Sequence, residues 1–418
     1  MEVGIDSLNV HPGLAYIDVQ VLAEHRGLDL KRFNNLLMHE KTVSLPYEDS
    51  VTFAVNAAKP LVDSLSEEEK DSIEMIITCT ESGIDFGKSI STYVHDYLGL
   101  HRNCRLFEVK QACYAASAGY QMALNHVVAS FSENPKVLVI ATDLSRFIVA
   151  EGGSALTEDW SFAEPSGGSG AVAFIVGRQP KLLQADLGAN GIYAYEVMDT
   201  CRPFPDGEAG DSDLSLMSYL DCLDGAYEDY CSKVDEVNFA STFSHLVFHT
   251  PFGGMVKGAH RKLMRSHLRL PPNKIEEDFQ RRIEPGLSYC QRVGNIMGAT
   301  IFMALAGVID STLLQKASRV GFFSYGSGCC SEFYSGVLLP TARESQQKFA
   351  IQQRLDNRYK LSMEEYDEIL GRNSTIRFGT QNLESDFGFL SELVESEIPK
   401  GQLMLSKISD FHREYQWF

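Results

Sequence analysis

Hydrophobic positions in this chain fall into short runs that alternate with longer stretches of helical spacing. EMIITCTES (74–82) is an apolar run entering a polar loop, as a buried strand does. KSISTYVHDYLGL (88–100) carries helical spacing and stops near Gly99. CRLFEV (104–109) reads as a short strand and ACYAASAGYQMALNHVVASF (112–131) as an Ala-rich buried helix. KVLVIATDL (136–144) and GAVAFIVG (170–177) are further strands. Strands alternating with helices predict an α/β layer architecture.

The second half repeats this grammar. HLVFHTPFGG (245–254) is a strand running into a glycine turn, followed by a helix over 255–270. GNIMGATIFMALAGVID (294–310) is a second buried, Ala-rich helix opened by a Gly-Asn pair. RVGFFSYGSG (319–328) and CSEFYSGVLL (330–339) are strands flanking small residues. A buried helix, a strand, a glycine-rich turn and a strand in each half predict an internal duplication. The expected division is 1–180 for the first half, 181–340 for the second and 341–418 for a polar, largely helical extension. SEEE (66–69) and SMEE (362–365) are helix-start capping boxes. Residues 150–168 break the pattern with Gly, Ser, acids and a Trp, as a functional loop or a solvated insertion would. Residues 200–213 are another Pro/Gly/Asp-rich connection.

Composition narrows the function classes. Hydrophobic residues make up 44% of 418 and charged residues 22%, an ordinary globular balance. Acids outnumber bases 56 to 37, for a net charge of −19, which argues against broad binding to nucleic acid or anionic membrane. The opening MEVGIDSLNVHPG has neither a basic nor an apolar leader segment, so no secretory signal is expected. The longest apolar stretch, IMGATIFMALAGVI, falls short of the roughly 18 residues of a membrane span. Nine scattered cysteines without a CxxC pair fit neither a disulfide framework nor a zinc site, and a reducing cytoplasm is expected.

Four residues at strand–helix junctions could carry chemistry. Cys113 stands where CRLFEV gives way to the Ala-rich helix, and a thiol at a helix start is favoured as thiolate. The alternative is an inert buried cysteine. Glu81 ends the CTES strand, where partial desolvation raises proton affinity, unless it is an exposed turn residue. His249 ends LVFHT and faces the mouth of a sheet, although most of eleven histidines are solvated or bonded in place. Asn295 opens a buried helix and either caps it or offers its amide to a ligand.

In order along the chain, VGIDSLNVHPG, TCTESGID, QACYAASAGY, VIATDLS, PSGGSGAVAFIVG, HLVFHTPFGGMVK, RVGNIMGATIF, SYGSGCCSEFYSG and LSKISDFHREY resemble the 3-hydroxy-3-methylglutaryl (HMG) synthase family of the thiolase superfamily. That resemblance implies a thiolase-like five-layered αβαβα fold and a homodimer. It implies that Cys113 accepts an acetyl group as a thioester. Glu81 then removes a methyl proton, and His249 hydrogen-bonds the acceptor ketone. Asn295 and Ser327 match polar groups near the acyl site. Tyr325, Asp143 and Asp199 lie in matching segments. No bound metal or redox cofactor is implied.

The chain departs from HMG-CoA synthases of primary metabolism in ways that bear on the acyl carrier. Those enzymes carry a Cys-Lys pair after the catalytic histidine, with the lysine linked to CoA phosphates; here the places are Gly253 and Gly254. The cysteine motif QACYAASAG also differs from the usual Asn-Ala-Cys-Tyr-Gly-Gly. These features resemble HMG synthases of polyketide β-branching, which act on phosphopantetheine-borne acyl groups of acyl carrier proteins (ACPs). The expected donor is acetyl-ACP and the expected acceptor a 3-ketoacyl-ACP. An acidic carrier needs local basic charge, and VKGAHRKLMRSHLRL (256–270) supplies it without an acid. Arg32, Lys257, Lys262 and Arg265 are the candidate docking residues; a solvated helix face is the alternative. Three other readings stay open: an HMG-CoA synthase of isoprenoid metabolism, a Cys-His-Asn ketoacyl synthase, and a catalytically silent carrier-protein scaffold.

Overall fold

The computed structural model describes residues 2–145, 163–204, 207–388 and 401–418. Nine strands form its main sheet: β1 (Val3–His11), β2 (Ile73–Cys79), β3 (Arg105–Val109), β4 (Lys136–Leu144), β5 (Ser169–Arg178), β6 (Leu183–Ala194), β7 (His245–Phe248), β8 (Ser318–Gly326) and β9 (Cys330–Leu338). Their order is β7-β8-β9-β6-β1-β5-β4-β2-β3. The duplication shows in the pairing. In the first half β1 runs antiparallel to β5, β5 antiparallel to β4, and β4 parallel to β2. In the second half β6 runs antiparallel to β9, β9 antiparallel to β8, and β8 parallel to β7. The same strand order and the same senses recur. The first half adds β3 at its outer edge.

The five-layered fold implied by the resemblance has two β layers, one from each half, and here the strands of both blocks are hydrogen-bonded into one continuous sheet. Gly4 and Ile5 of β1 pair with Gln184 and Leu183 of β6. Glycine permits this, because a Cβ at position 4 would lie 1.9 Å from the Leu183 carbonyl oxygen.

Six helices bear on the site: α1 (Ser50–Asp63), α2 (Ala115–Ala129), α3 (Ser212–Lys233), α4 (Gly253–Leu268), α5 (Glu284–Val293) and α6 (Thr300–Ser311). The Ala-rich α2 and α6, one from each half, lie in the middle of the molecule. Every residue from Thr300 to Ile309 is buried, as befits a helix apolar on all sides. Phe302 of α6 packs on Tyr120 of α2 at 5.7 Å between ring centroids and on Phe174 of β5 at 4.3 Å. Both capping boxes form, at Ser66 and Ser362. The connection at 200–213 is a hairpin, Thr200–Phe204 with Gly207–Gly210, leading directly into α3. Of the 150–168 connection, 150–162 lie outside the described residues, and Ala163–Ser166 form a short helix.

Candidate active site

Loops at the carboxyl ends of parallel strands converge on one cavity of about 1250 Å3, the position where open α/β sheets bind ligands. Glu81 follows β2, Cys113 follows β3, His249 follows β7 and Ser327 follows β8. All four line the cavity, together with Asn295 and Tyr325. The duplicated topology thus delivers the two halves' chemistry to one space.

Cys113 is half-buried on a turn whose preceding residue, Ala112, has φ +42°. This left-handed conformation is rare for a residue with a Cβ and marks a turn held by its surroundings. Gly326 holds it: a Cβ there would lie 2.5 Å from the Gln111 carbonyl oxygen. The Cys113 thiol donates to Glu81 Oε1 at 3.7 Å. Asp143 does not line the cavity. It is buried behind Glu81, and its Oδ1 accepts the N–H groups of Glu81 (2.9 Å) and Ser82 (3.0 Å) and the Thr80 hydroxyl (3.0 Å). It therefore fixes the backbone that presents Glu81. Burial and the Glu81 charge push the Asp143 carboxyl up to about 8.

The expected thiolate is corrected here. Burial, then the charges of Glu81 and Asp143, raise the Cys113 thiol well above its ordinary value. Helix α2 begins two residues later, at Ala115, while the Glu81 carboxylate stands 3.7 Å from the thiol. The thiol therefore keeps its proton and donates it in a hydrogen bond to Glu81.

His249 is buried, and desolvation pushes its imidazole down to about 3, so the ring is neutral. Its Nδ1 lies 2.7 Å from Thr300 Oγ1, and that hydroxyl is also 3.0 Å from the Met297 carbonyl oxygen. When the hydroxyl proton points to His249, the ring takes the tautomer with a proton on Nε2, the atom left for the cavity. Asn295 does both things its position allows. Its Oδ1 caps the Met297 N–H at 3.0 Å, which leaves the amide nitrogen for a ligand. Its main chain is held by Ser166 and Gly168. Asp199 is fully buried behind Tyr325, accepting the phenol at 2.5 Å and the Gly328 N–H at 2.9 Å. It anchors the turn that carries Ser327.

Arg202 and its partner Glu208, which sequence reasoning missed, complete the site. Arg202, on the hairpin, pairs with Glu81 Oε2 at 3.3 Å and Glu208 at 3.2 Å, and donates to the Glu81 carbonyl oxygen at 3.0 Å. The only signal was an arginine between apolar neighbours in TCRPF, within a connection read as irregular.

The candidate docking residues divide. Arg32 is exposed and lines the cavity, while Lys257, Lys262 and Arg265 lie outside it. Lys257 pairs with Glu276 and Lys262 with Asp224, each at 2.7 Å. Arg265 is exposed on α4.

Comparison with known proteins places these features. A family model described as hydroxymethylglutaryl-coenzyme A synthase C terminal matches residues 273–416. The chain is 59% identical over 414 residues to the polyketide biosynthesis 3-hydroxy-3-methylglutaryl-ACP synthase PksG of Bacillus subtilis, covering 99% of both chains. It is 32% identical to the hydroxymethylglutaryl-CoA synthase of Enterococcus faecalis, covering 88% of this chain and 91% of that one. The crystal structure of the curacin biosynthetic pathway HMG synthase in complex with acetyl donor-ACP superposes with a TM-score of 0.96, at 55% identity and full coverage of both chains.

Proposed function

The chain belongs to the hydroxymethylglutaryl synthase family, and from that premise we propose that it is an HMG synthase of polyketide β-branching that takes acetyl-ACP as donor and a 3-ketoacyl-ACP as acceptor. The observation that carries the chemistry is the Cys113 thiol 3.7 Å from Glu81, in one cavity with His249.

In the first step the Cys113 sulfur attacks the acetyl thioester, its proton passes to the departing pantetheine thiolate by way of Glu81, and the acetyl group is left on the sulfur. In the second, the Glu81 carboxylate removes a proton from the acetyl methyl group, a weak carbon acid whose enolate needs nearby hydrogen-bond donors. The enolate carbon adds to the acceptor's 3-keto carbon. His249 Nε2–H, in the tautomer supported by Thr300, hydrogen-bonds the developing alkoxide, which takes the proton held on Glu81 to become the tertiary alcohol. Water then cleaves the Cys113 thioester, leaving a carboxylate on the branched product and a free thiol. Holding the donor covalently makes the carbon–carbon step intramolecular. Asn295 and Ser327 orient the acyl groups, Asp143 the Glu81 loop, and Asp199 with Tyr325 the 326–328 turn.

The carrier docks where basic charge meets the cavity mouth. Arg32 and Arg265 lead that surface, and Lys257 and Lys262 add charge partly balanced within the chain. All nine cysteines are free thiols, which supports a reducing compartment, the cytoplasm. No helix of the described residues is long and apolar enough to cross a membrane. Among the described strands β3 pairs only with β2, leaving a sheet edge with half-buried Leu106, Phe107 and Val109. A second copy covers such an edge, so sedimentation is expected to give a dimer.

Intact-mass spectrometry after incubation with acetyl-ACP tests the reading. One acetyl group at Cys113 is expected, and none in Cys113→Ser; a non-catalytic scaffold gains none in either. Acetyl-CoA run in parallel separates the runner-up, since an HMG-CoA synthase of isoprenoid metabolism acylates as fast from CoA. Arg265→Glu is expected to slow acylation from acetyl-ACP while leaving acylation from acetyl-pantetheine unchanged; equal rates from the carrier would reject the docking surface.

A further inference from the structure

The hairpin that follows β6 places a buried cation against Glu81, the carboxylate that accepts from the Cys113 thiol. Arg202 and Glu208 sit on its two strands, with side chains 11% and 17% exposed. Both line the cavity. Arg202 spans the gap between Glu208 and Glu81, and it also holds the Glu81 loop through the Glu81 carbonyl and the Ser82 hydroxyl.

The charges around Cys113 come from several elements. Glu81 faces it from the end of β2, Asp143 from β4, and Arg202 and Glu208 from the hairpin. His249 stands in the same cavity as a neutral ring. Three carboxyl groups therefore surround one guanidinium. In a partly dry site a lone arginine changes the ionisation of every acid and thiol it faces. A second acid on the same arginine divides its field.

We propose that Arg202 and Glu208 together form the electrostatic positioning pair of this active site: Arg202, ion-paired to both carboxylates, holds Glu81 against the Cys113 thiol and supplies the site's positive charge, and Glu208 shares that cation and limits its effect. The proposal rests on Cys113 being the acyl-accepting nucleophile. No extra reactant is needed, because the pair only shifts where the thiol proton resides, on sulfur or on the Glu81 carboxylate. Burial drives the same thiol upward, and Arg202 is the opposing cation. Glu208 acts with the acids.

The two variants have opposite signatures, which a merely structural role does not produce. Alkylation of Cys113 by iodoacetamide, followed peptide by peptide across pH, reports the thiolate without any substrate. Arg202→Gln is expected to move the midpoint up by about one pH unit, and Glu208→Gln to move it down. Arg202→Lys keeps the charge and is expected to stay close to the unmodified protein. Acetylation by acetyl-ACP, measured over the same pH range, is expected to shift in the same two directions. Midpoints that move together, or that do not move, overturn the proposal. Opposite midpoint shifts in a protein that acetyl-ACP fails to acetylate would uphold the pair and remove the donor assignment instead.

Discussion

Thr300 shows how much of this site depends on a single proton. Its hydroxyl has two acceptors within 3.0 Å, His249 Nδ1 and the Met297 carbonyl oxygen, and the choice decides whether His249 can donate into the cavity. Thr300→Val removes that hydroxyl, so nothing donates to Nδ1 and the ring loses the bond that fixes its orientation and supports its Nε2–H tautomer. The carbon–carbon step is expected to slow by about 10²-fold or more, with Cys113 acetylation nearly intact and Thr300→Ser restoring most of the rate. Single-turnover measurement of the two steps checks it. At this scale identities are legible in the chain but ionisation states are not. Cys113, Glu81, His249 and Asn295 were legible because each ends or begins an apolar element. The ionisation of Cys113 was not, because it depends on Asp143, Arg202 and Glu208, which reach the thiol from positions 30 to 95 residues further along the chain.

Among the elements, the start of α4 explains why the second glycine of PFGG is small. A Cβ at Gly254 would lie 1.9 Å from the Asn35 carbonyl oxygen, and one at Gly253 2.9 Å from that of Leu37. The helix is pressed against the segment that carries Arg32, so the missing lysine leaves no empty space behind it. Gly254→Ala is expected to cost about 1–3 kcal/mol in urea unfolding, as overpacking does. Gly258→Ala, later in the same helix and facing nothing within 4 Å, is expected to gain about 0.5–1 kcal/mol. Strands with continuous apolar runs were read almost to the residue: KVLVIATDL became Lys136–Leu144. Helix α3 was passed over, although Tyr219, Cys222, Leu223, Ala226, Tyr227 and Tyr230 bury one stripe along it. Its seam is built from tyrosine and cysteine, whose polar atoms dilute the apolar signal. The hairpin before it was hidden by Pro and Gly, which mark turns without revealing the strands between them.

For the molecule as a whole, burial of histidine sets the response to acid. His11 and His249 are both pushed down to about 3 by desolvation, from an ordinary 6.5. Below pH 6.5 the unfolded chain takes up protons that these two folded rings refuse, so stability is full above that value and falls toward pH 3. Between pH 7 and pH 5 each ring is expected to cost about 2 kcal/mol. Urea unfolding at the two pH values measures the loss, and His11→Leu, which leaves the catalytic cavity untouched, is expected to halve this contribution. The overall layering was visible in the repeated grammar of strands and helices; that the two halves share one hydrogen-bonded sheet was not, because it turns on the missing side chain of Gly4. That seam has a mechanical meaning. With main chains laddered at Gly4 and Ile5 and Tyr120 packed on Phe302, swinging the two halves apart like a jaw would break sheet pairing and open the core. Under the proposed function, cargo is therefore expected to be threaded in end-on, with the reach of its tether, rather than any gape of the protein, deciding what arrives at the sulfur.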